Sequence, residues 1–176
     1  WTNSINYSAK AQMFFPGGLN LTLSTQKIKP DNVTINMYDA GMYWQSHGLH
    51  IEAEYLYKHY SDDAFKAVHA VDAFASYDIP TSPKSVIRYV TPLIRYDYMS
   101  DHSDGMRYLD GKANEAGKLI VNDYQRSRLT GGVTLSLKKP FVSDIRVNYE
   151  KYFYKNNGVP RPSEKDKIVV EFMTRF

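Results

Sequence analysis

Residues 167–176, Lys-Ile-Val-Val-Glu-Phe-Met-Thr-Arg-Phe, put Ile168, Val170, Phe172, Thr174 and Phe176 on one face of a strand, with Glu171 and Arg175 on the other. Strict alternation of this kind marks a strand that meets two different environments. An aromatic ending would be an odd edge for a water-soluble sheet. It is expected of the closing strand of an outer-membrane β-barrel, where the aromatic end rests at the membrane interface.

The alternation recurs between turn signals along the chain, which is the pattern of a barrel or sandwich. Ile5, Tyr7, Ala9, Ala11 and Met13 alternate with Asn6, Ser8, Lys10 and Gln12, and Pro16-Gly17-Gly18 predicts a tight turn. Leu19, Leu21 and Leu23 then oppose Asn20, Thr22 and Ser24. A third strand runs through Met37, Tyr38, Met42 and Trp44, with a bulge expected near 39–41, where the parity is lost. Leu49, Ile51, Ala53, Tyr55 and Tyr57 face away from His50, Glu52, Glu54 and Lys58. The fifth strand, 68–77, carries small residues that leave its facing open. In the sixth, 86–98, Ile94, Tyr96 and Tyr98 oppose Arg95 and Asp97. The seventh sets Leu129, Val133, Leu135 and Leu137 against Arg126, Arg128, Thr130, Thr134 and Ser136. In the eighth, Ile145, Val147, Tyr149 and Phe153 oppose Asp144, Arg146, Asn148 and Glu150. The reading is all-β, with nine strands.

Composition narrows the medium. No apolar run approaches the ~18 residues of a membrane helix, so a helical membrane protein is excluded. A barrel averages out to a polar composition, and 15 Tyr against 2 Trp suit interfacial girdles. A net charge of +3 makes no case for nucleic acid, and the absence of cysteine does not separate compartments. Connection lengths supply a second test. Turns at 16–18, 47–48, 80–84 and 139–140 fall at one end, and the longer loops at 61–66, 100–122 and 156–166 at the other. Only the connection at 30–32 is short at that second end. Short periplasmic turns and long external loops are the rule for transmembrane barrels. Single-chain bacterial barrels use even strand numbers, so nine implies a C-terminal portion of a larger barrel, with residues 1–176 one transmembrane domain and the N-terminal strands absent. An eight-stranded barrel is the alternative, and requires the fifth strand to be wrong.

Several segments resemble the phosphate-selective porin O/P family: Gly-Leu-His-Ile-Glu-Ala-Glu-Tyr at 48–55, Leu-Ile-Arg-Tyr-Asp-Tyr-Met-Ser at 93–100, the strand pair across 129–154, and the strand reaching Phe176. Arg95-Tyr96-Asp97-Tyr98 is the most specific of them. The resemblance covers most of the chain and matches the C-terminal half of such a porin. It implies an up-and-down antiparallel barrel of about sixteen strands, trimeric, in the outer membrane of a Gram-negative bacterium, passing small anionic solutes such as phosphate. It further implies contact with outer-membrane lipid and lipopolysaccharide. It also implies recognition of the last strand by the barrel-assembly machinery, with Phe172 and Phe176 as the signal. No cofactor or enzymatic chemistry is implied. The family's basic ladder for phosphate is not matched here, so a general or anion-biased pore is the expectation.

The candidate lumen face carries Lys10, Lys58, Arg95, Arg126, Arg128, Lys138, Arg146 and Arg175, together with Glu52, Glu54, Asp97, Asp144, Glu150 and Glu171. Arg126, Arg128, Arg95, Lys58, Lys10 and Arg146 are the candidate pore-lining, solute-binding residues, because a basic wall attracts anions. Mutual pairing across strands is the competing reading for each of them. Asp101 and Asp104 are weak candidates for calcium in an external loop, at a spacing unlike an EF-hand. His50, His59 and His69 with Asp62 and Asp63 would belong to an outer-membrane hydrolase if they converged. A sugar-binding aromatic ladder would need tyrosines on the polar parity, where Tyr152 and Tyr154 are the clear cases. A non-conducting barrel, plugged and serving a larger envelope complex, is a further alternative.

Overall fold

The computed structural model describes residues 5–29, 34–61, 66–101, 124–138, 142–155 and 165–174. The strands are β1 (Tyr7–Phe15), β2 (Leu19–Ile28), β3 (Ile35–Ser46), β4 (Leu49–Tyr60), β5 (Val68–Tyr77), β6 (Ile79–Pro80), β7 (Ile87–Met99), β8 (Arg126–Leu137), β9 (Ser143–Tyr154) and β10 (Lys167–Thr174). They form an up-and-down antiparallel sheet in the order β1-β2-β3-β4-β5-β7-β8-β9-β10, with the two-residue β6 also paired to β7. The sheet is not closed: β1 and β10 are its edges.

Tight turns make this meander possible. Gly17 and Gly18 link β1 to β2 at φ of 83° and 84°, conformations that L side chains rarely adopt. At Gly18 a Cβ would fall 2.1 Å from the Gln45 carbonyl oxygen, so the close approach of this turn to β3 also demands glycine. His47 and Gly48, both at positive φ, make the two-residue β3–β4 turn. These turns and the connections at 81–86 and 138–142 lie at one end of the sheet. The strand ends on either side of 29–34, 61–67, 100–125 and 155–166 lie at the other.

The fifth strand is present over the expected residues, and its facing is settled by register. Ala73, Ala75 and Tyr77 pair with Ala53, Ile51 and Leu49 on the apolar face, and Asp72 and Phe74 take the polar face. The bulge expected at 39–41 is absent. Here β3 pairs without interruption from Ile35 to Ser46 against β4, and without a shift against β2. The parity looked broken because Met37 and Tyr43 share the polar face with Asp39. The register shift lies instead between Ile87 and Tyr89 in β7.

The sheet is one layer thick. Among the described residues the buried apolar side chains are Tyr60 and Val68, 6% and 7% exposed, and no large side chain is fully buried. Ordinary domains cover an apolar face with a second layer. Here a continuous apolar face is left open. One register row crosses it as Leu23, Ala40, Tyr55, Val71, Tyr98, Ser127 and Phe153. Tyr38, Tyr57 and Tyr96 add to the aromatic band at the end with the long connections, while Phe15, Trp44, Tyr77 and Phe172 lie toward the turn end. Ile168 and Phe172 of β10 are 70% and 67% exposed. No helix among the described residues is long and apolar enough to cross a membrane.

Candidate pore wall

The polar face opposite that apolar surface is built by the same alternation. One of its rows reads Gln12, Thr22, Gly41, Glu54, Asp72, Asp97, Arg128 and Tyr152 from β1 to β9. Three carboxylates stand side by side in it, an arrangement that repels unless cations enter from adjoining rows. Arg95, one row away, does so. Its guanidinium pairs with Asp72 and, at 2.9 Å, with Asp97. Arg128 Nε donates to Asp97 at 2.8 Å, and its Nη1 lies 3.4 Å from Glu150. Glu150 also accepts from the Tyr152 hydroxyl at 2.8 Å and meets Lys167 at 3.5 Å. A continuous chain of opposite charges thus joins β5, β7, β8, β9 and β10.

The structure therefore brings Arg95 and Arg128 together around Asp97 and engages both with carboxylates. Arg146 is held by Glu171 at 3.2 Å and donates to the Thr134 hydroxyl at 3.3 Å. Lys58 lies over the Tyr60 ring, 4.8 Å from its centroid. Lys138 donates to the carbonyls of Ser82 and Pro83. Arg126 and Arg128 line a recess of about 440 Å³ with Glu54, Leu56, Asp97 and Met99. Lys10, on the edge strand, lines a second recess of about 310 Å³ with Asp39, Gly41, Tyr43, Glu52 and Glu54.

At the rim with the long connections, Asp101 is buried. It accepts from Lys155 Nζ at 2.6 Å, Lys66 Nζ at 3.2 Å and the Gln125 backbone amide at 2.7 Å. The Lys155 bond, then the Gln125 amide, hold its pKa down to about 2 against the cost of burial. Both carboxylate oxygens are committed to these donors, and they clasp three segments of chain. Asp104, Phe176, Arg175, Asp62 and Asp63 lie outside the described residues. Among the described residues no group of three or more His, Cys, Asp or Glu is placed to hold a metal.

The histidines divide between faces. His50 is on the polar side, 2.7 Å from Glu52. His59 and His69 share the apolar parity, where His69 Nδ1 lies 2.7 Å from the Tyr55 hydroxyl. Sequence reasoning missed the polar-face aromatics. Tyr43, Tyr60 and Phe74 join Tyr152 and Tyr154 there, and the His50 ring packs between Tyr43 and Phe74 at 4.8 and 5.3 Å. Reading β3 as unbroken would have placed Tyr43 correctly. Comparison of the chain with protein-family models, with curated proteins and with solved structures gives no match.

Proposed function

We propose that this chain forms wall of an outer-membrane β-barrel pore for passive diffusion of small hydrophilic solutes. The observation that carries the reading is the one-layer sheet, with a continuous apolar face backed by a polar one that carries most of the charges. Lipid is the medium that covers a continuous apolar face without a second protein layer, and water borders the polar face of such a wall. The aromatic bands and the segregation of long connections to one end support the same orientation, with the long connections outside. The host is a Gram-negative outer membrane. A larger, trimeric barrel is the form implied by the resemblance to the phosphate-selective porins. Transport requires no covalent step: pore radius and wall charge do the sorting.

Solute charge is where geometry alters the expectation. Arg95, Arg128 and Arg146 carry carboxylate partners, so an anion would have to displace protein charges to reach them. A phosphate preference loses its main support, and the reading is a pore for small hydrophilic solutes. Planar-bilayer recording on the full-length protein tests it. Stable conductance steps from folded, heat-modifiable protein are expected. Folded protein that gives no steps would instead favour a plugged barrel serving a larger envelope complex.

A further inference from the structure

The 310 Å³ recess on β2–β5 differs from the rest of the wall, and its chemistry selects a ligand class. Its floor is Gly41, which stands in the polar row between Thr22 and Glu54 where every neighbour carries a side chain. Nothing crowds that position. A Cβ added there would meet its nearest neighbour, the Thr22 Cβ, at 3.7 Å, an ordinary contact. The hollow is therefore made by the missing side chain and not by a backbone constraint.

The lining is unbalanced. Asp39, Glu52, Glu54 and Asp72 contribute carboxylates, and Lys10 is the only cation lining the recess among the described residues. Asp72 is neutralised from outside by Arg95. Asp39 and Glu54 both line the hollow, and the Ser24 hydroxyl donates to Asp39 Oδ1 at 3.2 Å. Asp39 Oδ2 has no hydrogen-bond partner and no exposure to solvent. An acceptor in that position calls for a donor. Tyr43 supplies an aromatic wall, with the His50 ring packed against it.

Acceptors in excess, one aromatic wall and a hollow one side chain deep fit a particular solute. Ammonium and guanidinium groups bring only donors, and both are attracted by an aromatic face. We infer that this recess is a subsite for small organic cations, taking an ammonium or guanidinium group against Asp39 and Glu54 with the body of the solute beside Tyr43. The inference rests on the reading of the polar face as a pore lumen. It makes the wall cation-preferring where the sequence suggested anions.

Three probes with one body and three charges test it: benzylamine, benzyl alcohol and benzoate. In planar bilayers containing the full-length protein, benzylamine is expected to interrupt the current at a concentration about tenfold below the other two. Gly41→Val fills the hollow and keeps every carboxylate. Glu54→Gln keeps the shape and removes a charge. Each is expected to weaken the benzylamine effect about tenfold while single-channel steps persist. Equal block by benzoate, or an unchanged benzylamine effect in both variants, would overturn the subsite and leave the pore reading standing. If folded protein gives no current, the pore reading falls. Calorimetric titration with benzylamine then decides the recess alone: binding lost in Gly41→Val upholds it, and no binding removes it.

Discussion

At the scale of single residues, the wall is organised by which charges are met and which are not. Arg128 joins β8 to both neighbours through Asp97 and Glu150. Arg128→Gln takes a shared cation from two part-buried carboxylates on either side of β8, and should destabilise the folded protein by about 1–2 kcal/mol. Urea unfolding in detergent would show it, and the double variant with Asp97→Asn should cost less than the two single changes added together. Asp101 gives a pH prediction. Its folded pKa of about 2 lies below the ordinary 3.8, so its stabilisation is complete above pH 3.8 and is lost as pH falls toward 2. With Lys66 and Lys155 about half exposed, the contribution is on the order of 1 kcal/mol. Hydrogen exchange at the Gln125 amide, taken relative to its intrinsic rate at each pH, should quicken below pH 3.8 in the wild type. In Asp101→Asn it should be fast throughout. A wild-type rate with no such rise would mean the clasp is not closed in solution.

At the scale of strands, facing is the property that decides everything, and β10 offers a one-position test. Val170 pairs with Val147 on the apolar face, and Val169 pairs with Asn148 on the polar face. Val170→Arg should cost about 2–4 kcal/mol in the membrane and lower the yield of folded protein, and Val169→Arg should be tolerated. Equal yields from the two would contradict a lipid-facing side. Phe172→Ser should likewise reduce assembly without touching the polar wall. Most strands were legible because apolar and polar residues alternate through most of their length, as in β4 over 49–55 and β9 over 144–150. In β3 the polar face carries Met37 and Tyr43, so composition concealed a period that the backbone keeps. In β5, alanines on both faces conceal it in the same way. Pairing was harder still to read. The partners of Arg95 lie on its own strand and on β5, 23 residues away from Asp72. Only a register fixed by turns and hydrogen bonds makes such neighbours visible, which is why sequence left solute contact and mutual pairing both open for the arginines, and the structure ties Arg95, Arg128 and Arg146 across strands.

At the scale of the whole molecule, an up-and-down path of nine strands with antiparallel neighbours leaves β1 and β10 running in the same direction. Joining those two edges directly would make one parallel seam in an otherwise antiparallel wall, with slanted and slightly weaker hydrogen bonds. A second copy turned about an axis along the membrane normal does not escape this, because it offers its β10 to β1 with the same polarity. A wall that is antiparallel all the way round takes an odd number of intervening strands. A strand lying antiparallel against β1 has to climb where β1 descends, and its apolar side has to continue that of Tyr7, Ala9, Ala11 and Met13. The open edge is in that sense a template: it prescribes the direction and the facing of its neighbour before any particular sequence is chosen for it.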